Sequence, residues 1–138
     1  MRAVVFAAVL LATSLAFAAD AGHWPKDAEV YFISPHNGAT VKNPVVVRFG
    51  LKGLGVAPAG VKFENTGHHH LLIDTDLPAD HEAPLPVTDH IKHFGKGQTE
   101  TSLTLAPGKH TLQLVVGDEN HIPHDPPLVS KKITITVQ

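Results

Sequence analysis

The chain has 138 residues, 11 Lys+Arg against 13 Asp+Glu and a formal charge of −2, so it lacks the strongly basic footprint of a nucleic-acid binder. With no cysteine it has no disulfide to form, no thiolate metal site and no thiol nucleophile. The anomaly is its 11 histidines, as many as Lys and Arg together, whose protonation below about pH 6 would reverse the net charge.

Residues 1–18 predict a cleaved secretory signal peptide: Arg2, then an apolar run, then the small-residue pattern Ala16-Phe17-Ala18. The run is too short and wrongly flanked for a good spanning helix, and no later segment approaches the roughly twenty apolar residues one needs. An uncleaved anchor is the rival expectation. Cleavage would leave 120 of the 138 residues, a single-domain size, and losing Arg2 would set ten basic residues against thirteen acids. The expected product is periplasmic or secreted, without an integral membrane segment after processing. Residues 19–28 read as a leader carrying His23 and Trp24, ahead of one domain at 29–138.

Strands are expected at 29–33, 45–51, 67–74, 99–105, 109–116 and 131–137. Each alternates apolar and polar residues or starts an apolar run, and Gly, Pro, Asn or Ser punctuate them. Val45, Val47, Phe49 and Leu51 share one face, as do Leu103 and Leu105, then Leu112, Leu114 and Val116, then Ile133, Ile135 and Val137. The connection 53–67 carries a further extended piece at Val61-Lys62-Phe63. Residues 75–97, with Pro78, Pro84, Pro86, Gly95 and Gly97, form a long loop, of a length that is usually either functional or disordered. No long run with helical period occurs outside the signal peptide. The pattern predicts an all-β, immunoglobulin-like antiparallel β-sandwich of about seven strands.

The chemistry centres on Gly67-His68-His69-His70-Leu71-Leu72-Ile73-Asp74. Side chains alternate along a strand, so His68 and His70 share a face with Leu72, and His69 points the other way with Leu71 and Ile73. In the immunoglobulin strand order, the start of strand 67–74, the segment entering 99–105 and the loop 117–127 lie at one end of the sandwich. His68, His69, His70, His90, His93, His121 and His124 meet there. His36, His81 and His110 should fall at the opposite end, and His23 at either. The predicted metal ligands are His68, His70, His93, His121 and His124, with His69 and His90 secondary.

Neutral imidazole suits zinc, copper, iron and nickel. With no cysteine, and with Met1 lost with the signal peptide, an all-nitrogen or nitrogen-carboxylate site points to Cu(II), with Zn(II) the other possibility. Asp89, Asp118, Glu119 and Asp125 could orient the rings from behind. A lone loop histidine is ordinarily just solvated; the convergence of three distant segments carries the argument. No catalytic residues are singled out: a Gly-x-Ser-x-Gly elbow, a phosphate-cradling loop and a His-Glu-x-x-His helix are all missing.

Gly67–Asp74, His93–Glu100 (HFGKGQTE), His110–Pro127 (HTLQLVVGDENHIPHDPP) and Ile133–Val137 (ITITV) together resemble the bacterial domain-of-unknown-function 4399 family. The resemblance spans roughly Ile33 to Val137 and takes in His68, His69, His70, His93, His121 and His124. It implies a small exported protein of the bacterial envelope and carries no established activity. The histidine convergence, not the resemblance, sets the expected function: an exported carrier or buffer of a metal ion, copper preferred, with room for an envelope partner of unknown identity. The rivals are a metal-free ligand- or protein-interaction module with pH-sensitive histidine loops and a small metalloenzyme.

Overall fold

The computed structural model describes residues 22–138; the expected signal peptide at 1–18 lies outside the described residues. Nine strands and no helix occur among the described residues, in the order β1 (Glu29–Ser34), β2 (Thr40–Val41), β3 (Val45–Lys52), β4 (Gly55–Val56), β5 (Thr66–Ile73), β6 (Ile91–His93), β7 (Glu100–Leu103), β8 (Gly108–Gly117) and β9 (Ile133–Val137). None of these residues forms a helix long and apolar enough to cross a membrane.

The strands make two sheets, a three-stranded one in the order β1-β3-β7 and a six-stranded one in the order β2-β9-β8-β5-β4, with β6 also paired to β5. The expected strands thus fall into the predicted pair of sheets, the first, second and fourth in one and the third, fifth and sixth in the other. The alternating apolar faces meet between them. Val45, Val47 and Phe49 from β3 pack against Leu71 and Ile73 from β5, Leu112, Leu114 and Val116 from β8, and Ile133, Ile135 and Val137 from β9. Leu51, Leu103 and Leu105 are partly buried at its margin. Trp24 also belongs to this core, its indole N–H donating to the Pro123 carbonyl at 2.6 Å. The leader is therefore fastened to the sandwich from that residue onward.

Some features depart from the sequence-based expectations. Val61 and Phe63 are exposed loop residues, and the short strand of that connection is Gly55–Val56, parallel to the start of β5. β2 adds a parallel edge to β9, too short to announce itself by alternation. Residues 75–97 lie across the outer face of the six-stranded sheet, where β6 pairs antiparallel with β5. There Leu85 and Ile91 bury Leu72 and Val115 in a second, smaller core, flanked by Leu77 and Val129. β5 is consequently covered on both faces and buried from Gly67 to Ile73. A strand so placed reads as a near-continuous run of large side chains rather than a clean alternation. That burial positions the histidines.

Candidate metal centre

The two-residue period of β5 divides its three imidazoles between the two cores. His69 turns inward, its ring centroid 5.1 Å from that of Phe49, while His68 and His70 turn outward into the space roofed by the loops. All three are only 1% exposed. β6 brings His93 into register opposite His70, and β8 leads directly into the loop that carries His121. The roof is tied together where the Leu85 N–H donates to the His121 carbonyl at 2.9 Å.

Four rings from three segments therefore surround one point. The His68 centroid lies 4.7 Å from His70, 5.4 Å from His93 and 4.8 Å from His121. His93 and His121 are 4.4 Å apart, and His70 lies 5.5 Å from His93 and 5.6 Å from His121. One ring-nitrogen hydrogen bond joins His68 Nε2 and His121 Nδ1 at 2.9 Å. His68 Nδ1, both nitrogens of His70 and His93 Nε2 are buried without a hydrogen-bond partner among the described residues. An unpaired buried polar group costs roughly 1–3 kcal/mol, so such a gathering needs a physical reason. One donor atom each from His68, His70 and His121 lies within 4.8 Å of the others, and this group could hold a metal ion.

The electrostatics favour lone pairs over protons. Burial, reinforced by the neighbouring rings of His121 and His93, lowers the His68 pKa to about 4. Burial and then the rings of His68, His121 and His93 lower that of His70 to about 3. His121 is lowered as well, by burial and then by His93. His68 and His70 are thus neutral near pH 7, the form that ligates metal.

Two glycines make the cluster possible, and sequence reasoning treated both only as punctuation. A Cβ at Gly117 would fall 2.6 Å from His70 Cε1, and one at Gly95 would fall 2.4 Å from His93 Nε2. Their signal was in plain view, since each glycine adjoins a histidine-bearing motif, but the clash partners depend on folding. Gly117→Ala should displace the His70 ring and weaken metal affinity by roughly 10–100-fold, comparable to losing a ligand's support. A competition titration, with circular dichroism to check the sheet, tests this; unchanged affinity would contradict it.

Three of the predicted ligands lie elsewhere. His69 faces the inner core, as the alternation required, with neither nitrogen partnered among the described residues. His90 is exposed and its Nδ1 bonds the Ile73 carbonyl at 2.8 Å, which turns it away from the centre. His124 stacks on His23 with centroids 3.6 Å apart and contacts Asp118 and Glu82 instead. The cause is local backbone: His121 and His124 have φ of 67° and 62°, so the loop turns sharply and aims the two rings apart. His81 also departs from expectation. Its carbonyl accepts the His124 N–H at 2.7 Å, which puts it beside the 117–127 loop. His110 stays at the far end of β8, bonded to Asp74 at 2.6 Å. No carboxylate among Asp89, Asp118, Glu119 and Asp125 hydrogen-bonds a ring of the four-histidine group among the described residues; Asp118 instead faces His124.

No curated protein and no solved structure matches the chain. The family described as Domain of unknown function (DUF4399) matches residues 47–138. That span contains all four rings of the centre and both glycines that admit them, and the chain belongs to the DUF4399 family.

Proposed function

We propose that this protein is an exported metal carrier or buffer, periplasmic or secreted, that holds Cu(II) in preference to Zn(II) through His68, His70, His93 and His121. One observation carries the reading: four buried ring nitrogens without partners, on three of four mutually adjacent imidazoles drawn from three separate segments. Coordination would give one nitrogen on each of those rings the partner it lacks. An all-nitrogen donor set suits both cations, and copper stands above zinc in intrinsic affinity for such ligands.

With His93 joining His68, His70 and His121, four imidazoles would complete a four-coordinate shell, which favours holding an ion over turning a substrate over at it. A metal-free module switching between about pH 5 and 7 is the weaker reading, because burial keeps His68, His69 and His70 neutral across that range.

Depressed proton affinity has a consequence for the loaded protein. An ordinary imidazole titrates at 6.5, but His68 and His70 are lowered to about 4 and about 3, so protons compete weakly for their lone pairs. The ion should stay bound at pH 5 and leave as pH falls toward 4. Elemental analysis after dialysis across this range tests it, and half-release near pH 6.5 would contradict it. The reading as a whole is tested by stoichiometric uptake of Cu(II) that His70→Ala and His121→Ala both weaken. Uptake unchanged in both variants would overturn the site.

A further inference from the structure

A second cluster stands apart from the four-histidine centre. Asp118 is buried, and its Oδ1 accepts the backbone N–H groups of Asn120 at 2.8 Å and Ile122 at 3.0 Å. This fixes the carboxylate and leaves Oδ2 facing His124 Nε2 at 2.8 Å. On the other side of that ring, Nδ1 faces Glu82 Oε2 at 3.2 Å, and Glu82 is itself held by the Asp125 N–H at 2.8 Å. His23 stacks on His124 with its plane tilted by 14°.

Counting protons exposes the oddity. A neutral imidazole carries one N–H, yet both nitrogens of His124 face carboxylate oxygens. Whichever nitrogen bears the hydrogen, the other meets an oxygen lone pair to lone pair unless a cation, a proton or a metal ion, fills the contact. One donor atom each from His23, Asp118 and His124 lies within 4.8 Å of the others. The group lines an open cleft of about 510 Å³ together with Trp24, Phe63 and Glu119.

We propose that His23, Asp118 and His124 form a second divalent-cation site, with an open side toward this cleft, that takes a borderline ion such as Zn(II). Two imidazoles and a carboxylate are a donor set for such ions, and three protein ligands leave a position for water. Glu82 plays the orienting part, accepting Nδ1–H of His124 so that Nε2 is presented to the ion. The site shares no ligand with the four-histidine centre, so each stands or falls alone. Its ion is exchangeable, because His23 is exposed and the cleft is open to solvent.

The test is a Zn(II) titration of the untagged full-length product, by calorimetry and by the emission of the single tryptophan, Trp24. That ring lies 4.5 Å from His23 and 6.0 Å from His124, which makes it a local reporter. In a His70→Leu/His93→Leu background, which disables the four-histidine centre, one equivalent should still bind and change the Trp24 emission. Adding His23→Ala, at an exposed position that does not hold the fold, should weaken that binding at least tenfold; Asp118→Asn should do the same. No zinc bound at micromolar concentration in this background would overturn the site. Binding indifferent to His23→Ala would overturn it too.

Discussion

His70→Leu should make the metal-free protein more stable and abolish tight metal binding. His70 carries two ring nitrogens that are buried without partners among the described residues. Leucine is close to histidine in volume and has no polar atom to satisfy. Replacing an unsatisfied polar group by an apolar one of similar shape is neutral to stabilising, here by roughly 1–3 kcal/mol for the orphan nitrogens removed. The same change deletes one of the four proposed ligands and should cost more than the roughly 10–100-fold in affinity that losing a mere supporting partner costs. Denaturant midpoints and a competition titration on the same preparation read both effects. A destabilised variant with unchanged affinity would mean that the ring serves packing alone.

The second large effect is acid lability of the metal-free fold. Burial lowers the pKa of His69 to about 4, against 6.5 for an ordinary imidazole. The folded state thus resists a proton that the unfolded chain accepts. Above pH 6.5 both states are neutral and the ring contributes no pH dependence to stability. Between 6.5 and 4 stability falls as pH falls, because only the unfolded chain is protonated, and below about 4 the loss levels off. At pH 5 the gap amounts to about 2 kcal/mol for this ring. His68 and His70 act in the same direction, with lowered values of about 4 and about 3. His110 acts in the opposite direction: its hydrogen bond to Asp74 raises its pKa, so that contribution is present at acid pH and fades as pH rises through the raised value. The buried rings outweigh it because its Asp74 partner is partly exposed. His69→Leu should flatten the acid limb of a stability-against-pH curve; a limb as steep as wild type would show that His69 is not the cause.

The acid limb and half of the candidate metal centre come from one strand, and the strand shows how much could be read in advance. The period of two assigned His68 and His70 to one face and His69 to the other, because alternation is a backbone property that needs no tertiary information. The strand order then brought His93 and His121 toward His68, since neighbours in a sheet follow from topology. Depth was not legible. Nothing local in Leu77, Leu85 or Ile91 says that the 75–97 segment folds over the outer face of β5, and that covering is what strips water from the rings. His124 was misplaced for another reason. Strand order put the whole 117–127 loop at one end, but the positive φ of His121 and His124 sends their two rings to different clusters. Gly95 and Gly117 escaped notice because what matters there is which ring occupies the space a Cβ would fill.

The most direct measurement is elemental analysis of untagged protein taken from its native compartment, followed by competition titration with Cu(II) and Zn(II) on wild type and His70→Leu. The account predicts copper that survives a competing chelator in wild type and is lost in His70→Leu while the fold persists. Wild-type protein that carries no metal and takes up none would contradict it.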